Sequence, residues 1–126
     1  MHRNILVSVL SLIALITSCT ELYADEYYKV IKKYTGTATW YQKGKKTANG
    51  DIFYPDGYTA AHKYLPFGTK LRLTNKITLQ TVIVIVNDRG PFVPGRDIDV
   101  SRGAARDLGI INDGTAKILI EIIKEF

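Results

Sequence analysis

A small closed β-barrel is the fold class that this sequence predicts, and three observations predict it. Several apolar or alternating runs have the length of strands, only one segment has the signature of a helix, and the connections are short and rich in Gly and Pro. The chain has 126 residues, 46% of them hydrophobic, with acidic and basic residues intermixed. That is enough to bury one real core and is not the composition of a disordered chain. No repeat and no second domain stand out.

The elements follow in order. Thr35-Gly36-Thr37-Ala38-Thr39-Trp40-Tyr41 is β-branched and aromatic and runs into Gln42-Lys43-Gly44, a strand and then a turn. Residues 68–75 alternate, with Leu71 and Leu73 against Lys70, Arg72 and Thr74. Residues 81–86 are a continuous apolar run, the pattern of a strand buried on both faces. Asp97-Ile98-Asp99-Val100 is a short strand. Ser101 then stands as an N-cap before a helix over residues 102–108, and Gly109 follows as its C′ residue. Ala104, Ala105 and Leu108 would form the buried face of that helix. Residues 116–122 alternate again, apart from Leu119, and close the domain.

The amino-terminal part reads as a targeting segment. Met1-His2-Arg3-Asn4 is short and positive, and residues 5–16 are apolar except for Ser8 and Ser11. The run is too short to span a bilayer comfortably. Ile16-Thr17-Ser18-Cys19 follows, an aliphatic residue and two small ones before a cysteine, which is what a lipoprotein signal peptidase reads. Residues 1–18 are therefore expected to be removed and Cys19 lipidated, each acyl chain contributing about 0.8 kcal/mol per buried CH₂. Two other readings remain, cleavage after Ala24 and an uncleaved anchor. Residues 19–33 form a spacer of mixed charge, with Val30 and Ile31 offering an earlier start to the domain of residues 34–126. Cys19 is the single cysteine, so the mature domain relies on its core without disulfides. The net charge of +5 points, in an exported protein, to anionic lipid and wall polymer rather than nucleic acid.

Three segments are richer in polar and turn-forming residues than a plain barrel needs: Thr47-Ala48-Asn49-Gly50-Asp51, Thr59-Ala60-Ala61-His62 with Leu65-Pro66-Phe67-Gly68-Thr69, and Asn87-Asp88-Arg89-Gly90-Pro91-Phe92. Turn geometry accounts for Asn49-Gly50 and Gly90-Pro91. It does not account for a carboxylate or a histidine in each segment, and loops at strand ends are where sites are built.

These segments, together with Ala38-Thr39-Trp40-Tyr41 and Arg96-Asp97-Ile98-Asp99-Val100-Ser101 running into Ala104-Ala105, resemble in order the rare lipoprotein A family, whose members include septal lytic transglycosylases of the cell wall. The resemblance runs from about Gly36 to Ile122. It implies a six-stranded double-psi β-barrel and cleavage of the β-1,4 bond between N-acetylmuramic acid and N-acetylglucosamine. In that reaction the muramic acid's own 6-hydroxyl attacks C1 and leaves a 1,6-anhydro end. One group must protonate the leaving oxygen and one must take the hydroxyl proton.

By position, Asp88 matches the family's Asn-Asp-Arg-Gly-Pro aspartate and is the first candidate for acid/base work; its bland alternative is an ion pair or a turn cap beside Arg89. His62 matches the family histidine, with a structural role as the rival. Asp51 stands where the family usually has Glu, and Tyr54 where it often has Asp, so the acid is withdrawn by one methylene. Asp56 lies close enough in sequence to compensate. Asp99 is expected to support the site rather than react, with helix capping a rival role for its segment. Trp40, Tyr41, Asn49, Tyr54, Arg89 and Phe92 are candidates for contact with sugar, and alternation lets only one of Trp40 and Tyr41 face a cleft.

No zinc-ligand set and no phosphate-cradling glycine pattern is present in the mature chain, so no metal or cofactor is expected. The expected partners are peptidoglycan strands and, through Cys19, a lipid bilayer, with the chain a monomer. Thr20, in place of an aspartate after the cysteine, favours the outer membrane. Two other functions stay open: a non-catalytic glycan-binding module of the wall-loosening kind, and a structural lipoprotein of the division site. Many family members carry a further C-terminal repeat domain, and this sequence ends at Phe126.

Overall fold

In the computed structural model the described residues are 27–42 and 44–126. The expected signal segment, Cys19 and the first part of the expected spacer lie outside them. The chain divides into two compact units. One is Val30–Ile123; of the other, the described residues are 27–29 and 124–126, and in it Tyr27 and Tyr28 pack edge to face, ring centroids 5.6 Å apart.

Strand β1 (Tyr28–Tyr41) is followed by β2 (Thr59–His62), β3 (Lys70–Asn75), β4 (Thr81–Asp88) and β5 (Ile98–Ser101). Helix α1 (Arg102–Leu108) and strand β6 (Thr115–Glu125) complete the order. The strands close into a ring, β1-β5-β2-β4-β3-β6. Pairs β1–β5 and β2–β4 are parallel, while β2–β5, β3–β4 and β3–β6 are antiparallel. The barrel of six strands with one short helix is the architecture expected, a double-psi β-barrel.

A closed ring has one inner face, so alternation decides which residues make the core. Ala38, Ala60, Leu71, Leu73, Val84, Val86, Ile98, Val100, Ile118 and Ile120 point inward and are fully buried. Each large aliphatic among them contributes roughly 1.5–3 kcal/mol by leaving water. Helix α1 adds Ala104, Ala105 and Leu108 to that core. Ser101 is its N-cap, accepting from the Ala104 N–H, and Gly109 ends it in the left-handed region at φ 71°. Buried Asn75 donates to the Leu108 carbonyl at 2.9 Å, so a helix terminus and the end of β3 are tied together.

Three expectations about the strands need correction. Strand β4 is buried on one face only: Val82, Val84 and Val86 are inside, whereas Ile83 is half-buried and Ile85 exposed. A continuous apolar run has no period from which to tell a barrel wall from a sheet covered on both sides. Strand β1 begins at Tyr28, well before the expected Thr35, and its first residues are mostly exposed. Thr59-Ala60-Ala61-His62, read from its polarity as a site loop, is a central strand with β4 on one side and β5 on the other. Its alanines carry no β signal because the crowded position asks for small side chains.

Candidate active site

The register of four neighbouring strands sets one row of residues on the face turned away from the core. Thr39 of β1 stands beside Asp99 of β5, Asp99 beside Ala61 of β2, and Ala61 beside Asp88 of β4. The last pairing depends on an irregularity. Ala60 pairs with Val86 but Ala61 pairs with Asp88, so Asn87 is an extra residue in β4. Without that bulge Asp88 would share the inward direction of Val86; with it, the carboxylate turns out onto the face of Asp99, with Ala61 of β2 between the two. Ala61, 4% exposed, stands between the two acids with only a methyl for a side chain.

Each carboxylate is held differently. Asp99 is half-buried, and its Oδ1 accepts from the Thr39 hydroxyl at 2.9 Å. Burial raises its pKa above 3.8, the Thr39 hydrogen bond and Arg96 oppose that, and the charge of Asp88 adds to the rise. Asp88 Oδ1 accepts two backbone N–H groups, from Ala48 and from Arg89, each at 2.9 Å. Its Oδ2 has the Tyr41 hydroxyl as a donor at 3.4 Å, leaving that oxygen the less encumbered. Burial, and then the charges of Asp88 and Asp99, push the Tyr41 phenol far up, so it stays a neutral donor. Its ring stacks on buried Phe53 at 4.7 Å. Of the two aromatic candidates on β1, Tyr41 joins the carboxylates and Trp40 packs against the core.

Asp51 arrives on a loop docked against the end of β4. A tight turn links Gly50 N–H to the Thr47 carbonyl, with Gly50 at φ 93°. Asn49 works inside this turn: its Oδ1 accepts from the Thr47 hydroxyl and the Asp51 N–H, and its Nδ2 donates to Asp51 Oδ2 at 2.9 Å. The Asn49 N–H reaches the Asn87 carbonyl, and the Ala48 N–H reaches Asp88 itself. The exposed Asp51 then edges a cleft of about 310 Å³, lined also by Ile52, Tyr54, Gly57, Thr59 and Asn87. Asp56 offers no compensation here, since its carboxylate is engaged by Arg102 at 2.9 Å and Arg106 at 3.3 Å.

His62 and Arg89 are placed as braces. The His62 Nδ1 accepts from the N–H groups of Tyr64 and Leu65, at 3.2 and 3.1 Å. That fixes the proton on Nε2, which donates to the Tyr34 hydroxyl at 2.9 Å. Burial lowers the His62 pKa, and the charges of Arg89 and Lys63 lower it further. Tyr34, in turn, is pushed up to about 12, mainly by burial. The Arg89 guanidinium donates to the carbonyls of His62 and Leu65 and lies 4.0 Å over the Phe67 ring. Phe92 is 81% exposed and Tyr54 67% exposed, both open to a ligand.

The structure thus brings together Asp88, Asp99 and Tyr41, with Asp51 on the adjoining cleft, and sets the His62 ring against Tyr34 and the 62–65 turn. Among the described residues no three His, Cys, Asp or Glu side chains gather as a metal site. Thr39, which orients Asp99, and the bulge at Asn87 escape a reading of the sequence. The parity shared by Thr39 and Tyr41 on β1 is the signal that points to the former. Two neighbouring carboxyls, one with raised proton affinity, are suited to giving and taking protons on one substrate.

Residues 33–120 match the model of a protein family described as lytic transglycolase. A probable endolytic peptidoglycan transglycosylase RlpA of Synechocystis is 47% identical over 92 residues, 71% of this chain and 29% of that protein. The endolytic peptidoglycan transglycosylase RlpA of Pasteurella multocida is 48% identical over 92 residues, 71% of this chain and 31% of its own. That of Rickettsia bellii is 50% identical over 95 residues, 71% and 42% respectively. The chain spans less than half the length of these curated relatives. Among solved structures, the Streptomyces papain inhibitor superposes with a TM-score of 0.63 at 20% identity, over 75% of this chain and 97% of that one. An expansin variant of Clavibacter michiganensis in complex with cellohexaose gives 0.60 at 23%, over 74% and 51%. At those identities the likeness is one of fold.

Proposed function

The chain belongs to the lytic transglycolase family, and on that footing we propose that it cleaves peptidoglycan strands as an endolytic transglycosylase. The observation that carries the reading is the pair Asp88 and Asp99, side by side across Ala61 with the Tyr41 hydroxyl donating to Asp88. In the proposed reaction Asp99, whose burial favours the protonated form, gives its proton to the glycosidic oxygen as the bond from C1 breaks. The 6-hydroxyl of the muramic acid attacks C1, and Asp88 Oδ2 takes its proton. The products are a free 4-hydroxyl on one side and a 1,6-anhydro ring on the other, with no water consumed. Asp51, on the adjoining cleft, stabilises the positive charge that develops at C1. His62 serves by holding the 62–65 turn, since both ring nitrogens are engaged.

A peptidoglycan substrate supports a location in the cell envelope. With that goes the proposed division into a signal of residues 1–18, a lipidated Cys19 and spacer to residue 33, and the barrel domain of residues 34–126. Ile16-Thr17-Ser18-Cys19 supports the lipid anchor and Thr20 the outer membrane. A Cys19→Ser chain is expected to move from the membrane fraction to the soluble one; a chain that stays bound would sink the anchor.

The reaction is tested by incubating the purified protein with peptidoglycan and reading the products by mass spectrometry. Anhydro-ended fragments are expected, and their loss in Asp88→Asn and in Asp99→Asn. Fragments with reducing ends would mean hydrolysis instead. A glycan-binding module is the second reading, favoured by one observation: Asp51 is tied back to Asn49 and Asp56 to two arginines. Such a module would pellet with the wall and release nothing.

A further inference from the structure

Two buried polar atoms have no hydrogen-bond partner among the described residues, Thr59 Oγ1 and Asn87 Oδ1, and both belong to residues lining the same cleft. Buried polar groups are nearly always paired, so an orphan calls for an explanation, and two on one cleft call for a shared one. Asn87 is 5% exposed and is the bulge residue, the position in β4 that has no partner in β2. Thr59 begins β2, and its backbone N–H is already used by the Ser101 hydroxyl while its own hydroxyl is not. Neither side chain braces the fold by a side-chain bond at these atoms.

The cleft around them has a mixed character. Asp51 edges it, and Ile52 and Tyr54, 61% and 67% exposed, give it apolar wall. Its volume of about 310 Å³ is at the small end of ligand clefts, room for one sugar ring. An acetamido substituent matches this surface part by part. Its N–H needs an acceptor, its carbonyl needs a donor, and its methyl needs apolar contact. A primary amide and a hydroxyl supply the first two, and Ile52 and Tyr54 the third. A bare 2-hydroxyl would leave the apolar wall uncovered and a polar atom unpaired.

We propose that Thr59 and Asn87 form a specificity subsite that recognises the 2-acetamido group of an N-acetylhexosamine and so separates such glycans from plain glucans. The assignment rests on the glycan-cleaving reading for its substrate class and adds to it the residues that read the sugar. Thr59 and Asn87 are positioning residues in it and exchange no proton with the substrate.

The test is calorimetric titration of the full chain with chitin hexaose and with cellohexaose, two β-1,4 hexasaccharides that differ only in the C2 substituent. Tighter binding of chitin hexaose by about tenfold or more is expected. Thr59→Val, nearly isosteric, and Asn87→Leu should each bring the two affinities together by weakening the acetylated ligand alone. Equal affinities in the parent chain, no binding of either saccharide, or a preference that survives both substitutions would overturn the subsite. Because Thr59 is on the outer face, its variant reports even if Asn87→Leu fails to fold. Selectivity retained alongside an absence of anhydro products would sink the catalytic reading and leave the subsite standing. Anhydro products without selectivity would do the reverse.

Discussion

Half-buried Asp99 and buried His62 are ionisable groups whose environments drive them in opposite directions, and each should leave a mark on stability. Asp99 holds its proton more tightly when folded than when unfolded. Its contribution is therefore complete below 3.8 and is lost as pH rises through the folded value. Above the folded value its charge is a liability, half-buried on the face it shares with Asp88. We expect Asp99→Asn to keep the Thr39 contact, to raise the melting temperature at pH values above the folded value, and to abolish the proposed glycan cleavage, a trade common at active sites. A variant that loses stability as well as activity would contradict this. His62 behaves in the opposite sense: its pKa is lowered on folding, so below about 6.5 the unfolded chain binds a proton that the folded chain refuses. Its stabilisation is full above that value and fades on acidification. His62→Leu, which strands the N–H groups of Tyr64 and Leu65 and the Tyr34 hydroxyl, should cost about 1–3 kcal/mol at neutral pH and remove that acid limb. Thermal melts across pH 4–8, with approximate limits set by the ordinary carboxylate and imidazole ranges, would check both.

Helix α1 and the turn it covers show how one element shapes the cleft. A methyl on Gly103 would meet the Asp56 carbonyl oxygen at 2.5 Å, and Gly57, next in the turn, lines the cleft. Gly103→Ala should therefore cost about 1–3 kcal/mol in denaturant melts and weaken saccharide binding as the turn is displaced. A neutral outcome would mean that the turn yields freely. In the β3–β4 connection Leu79 stands at φ 64° with its side chain 73% exposed, a left-handed conformation that glycine adopts without strain. Leu79→Gly is expected to stabilise by roughly 1 kcal/mol, read from the same melts. These element-scale facts also mark what a sequence can reveal. Helix α1 was legible to the residue, because Ser101 and Gly109 each do a job that few residues do well. The alternation of residues 70–75 was legible for the same kind of reason. Strand β2 was not, since Ala60 and Ala61 owe their place to the neighbours that crowd them. Nor was the outward turn of Asp88, which depends on a pairing with β2 that no local pattern records.

The six-stranded ring as a whole explains why the candidate acids were identified more readily than their partners. Asp88 and Asp51 stand in segments whose polarity singles them out, and the family resemblance orders them. Thr39 and Tyr41 look like ordinary strand residues until the ring closes and sets them against carboxylates from elsewhere in the chain. Thr39 and Asp99 are 60 residues apart in sequence, and Ala48 and Asp88 are 40 apart. No single hairpin or fragment contains the row, and the parallel pairs that create it are of the non-local kind that folds slowly, on the order of milliseconds to seconds. An extended or half-built chain is accordingly expected to lack the proposed activity, however many of its acids are present. For a protein proposed to sever the wall that surrounds the cell, ring closure is also a safety catch: the proposed cutting row exists only where several strands of the barrel have come together.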